Sequence, residues 1–195
     1  MNPGRYPLFP LNTVLFPDCK LPLQIFEQRY LRLVKECMRD DEGFVVVLIS
    51  EGNEVGGAPS IYSTGTWVKI TDWKQLDNGL LGITITAQDR VRVDRPSAQD
   101  DGLLTAEVYP LSSRTDAPEL LDQYQDLIGT LKQLEEHPWT RQFDLTIDYA
   151  SSDDVCNKLS YLLPIPGVDK QSLLETDNSS DLLMMLRNII TNLQD

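Results

Sequence analysis

Four prolines within sixteen positions, Pro7, Pro10, Pro17 and Pro22, constrain this chain more than any other feature. They cut the segment RYPLFPLNTVLFPDCKLPLQIFEQRY into short apolar runs followed by a polar helix start. Proline brings no N–H to a ladder, so Leu8-Phe9, Val14-Leu15-Phe16 and Leu21-Pro22-Leu23 are confined to short or edge strands with tight bends. Phe26 and Tyr30 then enter a helix. The expectation is a compact β unit beginning almost at residue 1, with no tail or targeting signal ahead of it.

The chain has 195 residues, enough for one large domain or two small ones with a real core. It is 41% apolar and 24% charged, the balance of a globular protein. The longest apolar run, Phe44–Ile49, has the length of a strand, far short of the roughly 18 residues of a membrane span. One early Arg and a proline series do not make a signal peptide, so the expected compartment is cytoplasmic, away from any membrane. Cys19, Cys37 and Cys156 are odd in number and without a C-x-x-C pair. They read as buried free thiols, neither a disulfide framework nor a metal knuckle.

Net charge is −13 and the pI about 4.4, a field that repels a phosphate backbone and argues against nucleic acid. Residues 111–195 hold 6 basic and 15 acidic side chains, so they supply −9 of the −13. That concentration reads as a solvated helical surface.

Two hydrophobic periods divide the chain. Phe44-Val45-Val46-Val47-Leu48-Ile49 is an unbroken run, as in a strand buried on both faces. Glu51–Gly57 is a turn cluster, and Tyr62–Trp73 alternates as a strand. Asp77-Asn78-Gly79 is a hairpin turn, because Asn and Gly accept positive φ. Leu80–Thr86, Arg90–Val93 and Leu104–Pro110 add three further strands, and the count suggests a closed or nearly closed β-barrel. Glu27–Arg39 is the exception: Tyr30, Leu31, Val34 and Met38 recur at helical spacing, so this helix should plug or cover one end of the barrel. After a polar linker at 112–117 the period becomes 3.6. A helix starting at Pro118 carries the stripe Leu120, Tyr124, Leu127, Ile128, Leu131 and Leu134. A second is capped by Ser151 with Asp154, a short one covers Asp169–Glu175, and the last opens at Ser180. The expected fold class is therefore α+β, with a β-barrel and one covering helix over residues 1–111, then an all-α bundle over 118–195.

Four segments in this order resemble the N-terminal substrate-binding domain of the ATP-dependent protease Lon. They are Pro7–Leu11 with Val14–Pro17; Leu21–Tyr30; Gly65-Thr66 ahead of the Leu80–Val93 return; and Leu159–Leu174. The resemblance covers about residues 5–194. It implies that the barrel is PUA-like and that a helical bundle follows. It also implies an ATPase module and a Ser–Lys peptidase in full Lon proteases. This chain carries no G-x-x-x-x-G-K-[ST] loop, and so resembles stand-alone, non-catalytic relatives.

The residues supply no reaction of their own. His137 lies at a helix end, where a solvated imidazole suits the dipole, and its neighbours Glu135 and Glu136 do not point at it. The acidic pairs sit at turns and helix starts, as capping residues do. No catalytic, cofactor or metal residues are expected. The function expected is binding of exposed apolar polypeptide segments through an edge strand, lined by Phe16, Phe26, Tyr30, Trp67 and Trp73. The alternatives are an adaptor docked on a protease complex, or a small-molecule or RNA binder. An RNA binder would need Lys69, Lys74, Arg90, Arg92 and Arg95 to converge, whereas their alternation in strands reads as a solvated face.

Overall fold

The computed structural model describes residues 1–54 and 59–194, with residues 141, 142 and 194 described by backbone alone. The turn expected over Glu51–Gly57 lies outside the described residues from position 55 onward. The strands are β1 (Gly4–Leu11), β2 (Lys20–Ile25), β3 (Phe44–Glu51), β4 (Ser60–Gln75), β5 (Leu81–Ala98) and β6 (Leu104–Pro110), with helix α1 (Gln28–Asp40) between β2 and β3. Their order is β2-β5-β4-β3-β1-β6, and β6 also pairs with β5. Five strands, β1, β3, β4, β5 and β6, thus close on themselves, while β2 stands outside the ring on β5.

The pair β1–β3 is parallel, with Leu8 opposite Val45, and the other pairings are antiparallel. A parallel pair needs a crossover, which β2 and α1 provide. The continuous run of β3 is buried throughout Phe44–Ile49, because each of its faces meets its own core. Val45 and Val47 join Leu8, Trp67, Val91, Val93, Leu104, Ala106 and Val108, contributed by all five ring strands, which makes this the interior of the ring. Phe44, Val46 and Leu48 face outward into a larger core shared with Tyr30, Leu33, Val34 and Cys37 of α1. Helix α1 therefore covers the outside of the ring and puts nothing in its interior core. Gly65 belongs to one of the four segments singled out above, and its reason is steric. A Cβ there would stand 2.5 Å from the Val46 carbonyl oxygen of the neighbouring strand.

Two readings of the strands are corrected. Val14-Leu15-Phe16 forms no strand, yet all three side chains are buried in a loop; the Thr66 hydroxyl donates to the Leu15 carbonyl at 2.6 Å. The expected strands Leu80–Thr86 and Arg90–Val93 merge, from Leu81 onward, into one strand, β5, paired with β4 through two bulges. Because β4 and β5 are so long, their ends run past the ring. There β2, Leu81–Thr86 and Lys69–Gln75 form a three-stranded arm. The turn at its tip matches expectation, with Gly79 at φ +80°.

The C-terminal part opens with a 3₁₀ segment over Pro118–Tyr124, continuing into α2 (Gln125–Glu136). A second 3₁₀ segment (Pro138–Phe143) precedes α3 (Ser152–Leu162), α4 (Gly167–Glu175) and α5 (Ser179–Gln194). The Ser151 hydroxyl caps α3 as read, accepting from the Asp154 N–H at 3.2 Å. The Asp154 carboxylate does not close the box; it accepts from the Asp148 N–H instead. Leu127, Leu131, Leu159, Leu173, Leu183 and Leu186 join the same core as the outer faces of β1 and β3. Apolar packing thus runs on across residues 112–117.

Candidate functional site

Among the described residues, strand β2 has a partner on one side only, and its proline decides which groups that leaves. Pro22 lies opposite Thr84, between Leu21–Ile85 and Leu23–Ile83. A residue without an N–H fits an antiparallel ladder where its polar groups point away from the partner. The ladder to β5 is therefore made by Leu21, Leu23 and Ile25, and the main chain of Lys20, Pro22 and Gln24 faces outward. The Lys20 carbonyl is already used: it accepts from the Tyr161 hydroxyl of α3 at 2.9 Å. Beside it the Lys20 ammonium pairs with Asp144. What stays open among the described residues is the Lys20 N–H, the Pro22 carbonyl and the N–H and carbonyl of Gln24.

Two hollows share Pro22, Leu23 and Gln24 as a common wall. One, of about 270 Å³, continues over Trp73, Lys74, Leu76, Gly82, Ile83 and Thr84. The other, of about 210 Å³, lies against Phe9, Leu11, Phe26, Glu27, Tyr30 and Glu54. Leu23, Ile83 and Trp73 are register partners across the arm, so they share one face of it. Trp73 is 60% exposed and Phe26 55%. Tyr30 stacks on Phe9 with centroids 4.1 Å apart, and burial pushes its phenol up to about 12.

The five aromatics expected to line a site therefore separate. Phe26 and Trp73 are exposed on either side of β2. Tyr30 is a mostly buried wall residue. Phe16 and Trp67 are interior, Trp67 packed edge-on against Tyr6 at 4.7 Å, and neither reaches the surface. The reading missed Leu23 and Gln24. Pro22 was the available signal, since it marks β2 as an edge strand.

Of the five basic residues expected on a solvated face, Arg90 departs from that reading. Arg90 is not on a solvated face: it is 4% exposed and donates to the carbonyls of Leu174, Thr176 and Ser112. It also pairs with Asp177 at 2.9 Å. Burial and the adjacent Arg114 guanidinium pull its pKa below the ordinary arginine value. Arg114, from the expected linker, is buried beside it and grips the same end of α4. These two line a polar hollow of about 390 Å³ with Asp18, Asp89 and Asp153. Their hydrogen bonds go to protein carbonyls and carboxylates, which makes this hollow a structural joint. Lys69, Arg92 and Arg95 face Asp41, Asp94 and Glu107.

His137 ends α2, with its Nδ1 3.5 Å from the Trp139 N–H. Among the described residues no three His, Cys, Asp or Glu side chains are grouped to hold a metal, and no helix is long and apolar enough to cross a membrane. The cysteines are free and buried, and loss of solvation pushes each thiol up to about 12. Native protein at mildly alkaline pH should react with iodoacetamide at under about a tenth of the rate of an exposed thiol. Mass spectrometry should find three adducts only after denaturation. An adduct forming within minutes on native protein would contradict the burial.

A closed ring of strands, helices on its outer face and, among the described residues, an unpaired edge at β2 define an α+β scaffold. The family model of the ATP-dependent protease La (LON) substrate-binding domain matches residues 5–192, and the chain belongs to that family. The Lon protease of Orientia tsutsugamushi is 31% identical over 87% of this chain and 22% of its own length. The Lon protease of Brevibacillus choshinensis is 24% identical over 95% and 24%. The chain spans about a quarter of the length of the curated relatives it matches. A solved Lon N-terminal domain protein from Xanthomonas campestris superposes with a TM-score of 0.73 at 30% identity, covering 95% of this chain and 98% of that one. The N-terminal domain of a Mycobacterium avium complex Lon protease gives 0.69 at 15% identity over 95% and 97%, a likeness of fold.

Proposed function

We propose that this protein is a non-catalytic polypeptide-binding module, which takes exposed apolar segments of other chains at the β2 edge. The observation that carries the reading is the outward main chain of Pro22 and Gln24, unpaired among the described residues, between two hollows with apolar and charged walls, with Phe26 and Trp73 exposed beside them. An extended segment can add to such an edge by main-chain hydrogen bonds while its side chains enter the hollows. Membership in a family described as substrate-binding domains supports polypeptide as the ligand class. On this reading the ring is a PUA-like barrel over residues 1–111, the 118–195 helices are a bundle clamped to it, and the protein works in the cytoplasm. The partner is either an unfolded client or a protease complex on which the module docks as an adaptor. The RNA reading has little to draw on, since Lys69, Arg92 and Arg95 face carboxylates and Arg90 is buried.

Trp73→Ala tests the site. Loss of a central aromatic contact should weaken binding of reduced, carboxymethylated α-lactalbumin about tenfold or more in fluorescence anisotropy. Unchanged affinity with an intact circular dichroism spectrum would remove Trp73 from the site.

A further inference from the structure

We infer that the β2 edge selects extended apolar segments flanked by basic residues and rejects those flanked by acidic ones; this rests on the reading above. The open edge is short. The Lys20 carbonyl is taken by Tyr161, and the chain turns into α1 shortly after Ile25. The Lys20 N–H, the Pro22 carbonyl and the two main-chain groups of Gln24 are too few to distinguish one segment from another. Discrimination therefore falls to what the side chains of an incoming strand, and the residues just beyond it, encounter.

They encounter carboxylates. Glu27, Glu54 and Asp72 line the two hollows, with Lys74 the single ammonium among the lining residues. Glu27 is paired with Arg29 at 2.9 Å. Glu54 and Asp72 have no cationic partner among the described residues. Glu54 accepts from the Asn12 N–H at 2.6 Å, and Asp72 from the Trp73 N–H at 2.8 Å. Those contacts hold each carboxylate in place without an ion pair, although the Arg29 guanidinium donates to the Glu54 main-chain carbonyl at 3.3 Å. Asp77 stands one residue beyond Leu76, and the chain as a whole carries −13. Such a rim favours cationic flanks and penalises anionic ones, acting on partner choice more than on contact area.

The test uses three labelled peptides with one apolar centre, KKTVFVTVKK, SSTVFVTVSS and EETVFVTVEE, titrated against the full chain. In about 20 mM salt the basic peptide should bind roughly tenfold or more tighter than the acidic one, and in about 0.5 M salt the difference should shrink to about twofold, as screening predicts. The isosteric double variant E54Q/D72N, its fold checked by circular dichroism, should narrow the low-salt difference several-fold. Equal binding of all three peptides, abolished by Gln24→Pro, would overturn the charge selection and leave the edge reading intact. Failure of all three to bind, or binding indifferent to Gln24→Pro, would overturn both. A charge preference that E54Q/D72N does not alter would place the selection elsewhere and overturn the assignment to this rim.

Discussion

Replacing Arg114 with alanine is expected to lower the stability of the fold by about 3–5 kcal/mol, the range for removing one partner from a buried charged network. Its guanidinium donates from Nε to the Thr176 carbonyl at 2.7 Å and from Nη1 to Asp153 and Asn157, both at 3.0 Å. From Nη2 it reaches the carbonyls of Leu173 and Leu174 at 3.1 and 3.2 Å. These carbonyls belong to the end of α4 and the residue after it, where a helix runs out of internal donors and carries partial negative charge. Alanine would leave the buried Leu173 carbonyl and the Asn157 amide oxygen without that donor, and the Asp153 carboxylate, which keeps 28% exposure, without its cation. For a chain of this size each kcal/mol moves the midpoint by about 2–4 °C, so thermal unfolding should fall by about 6–20 °C. Lysine should not rescue it, because a single ammonium cannot reproduce the planar fork. A loss below about 1 kcal/mol in urea titration would mean that Arg90, which shares the Leu174 and Thr176 carbonyls, holds the joint alone.

Gln24→Pro should leave stability nearly untouched and weaken peptide binding about tenfold or more, the loss expected when a binding edge has its donor removed and its approach blocked. The N–H of Gln24 faces away from β5, as the ladder position of Pro22 requires, so a proline there removes no bond to β5. The partner variant Leu23→Pro separates the two effects. Leu23 does donate to the ladder, so that change should lower the melting temperature and detach β2. If Gln24→Pro destabilises the protein as much as Leu23→Pro, the assignment of outward and inward groups along β2 is wrong. If it leaves both stability and affinity unchanged, the ligand does not pair with this edge.

The same residues show how far local reading reaches. Pro22 announced an edge strand, Phe44–Ile49 announced a strand covered on both sides, and Asp77-Asn78-Gly79 announced the tip of the arm. The aromatics could not be sorted in that way. Trp67 and Trp73 lie on one strand in similar company. Trp67 falls within the ring and packs against β3 and Tyr6, whereas Trp73 falls beyond the last residue paired with β3. Arg90 and Arg92 sit two apart on β5 and so share a face, yet α4 ends over the first while the second lies across the Tyr109 ring. Nothing within several residues of either arginine records that difference.

Backbone preference and hydrophobic period act over a few residues. They are written into the chain itself, and they determined most of the strands, the hairpin turn, the Ser151 cap of α3 and the acidic character of this protein. Burial and an unpaired edge depend on which distant segment arrives opposite. That Phe16 is interior and Phe26 exposed, that Arg114 is a clamp within what read as a linker, and that β2 ends the sheet beside Trp73 were decided only when segments up to about 140 residues apart, as Lys20 and Tyr161 are, came together.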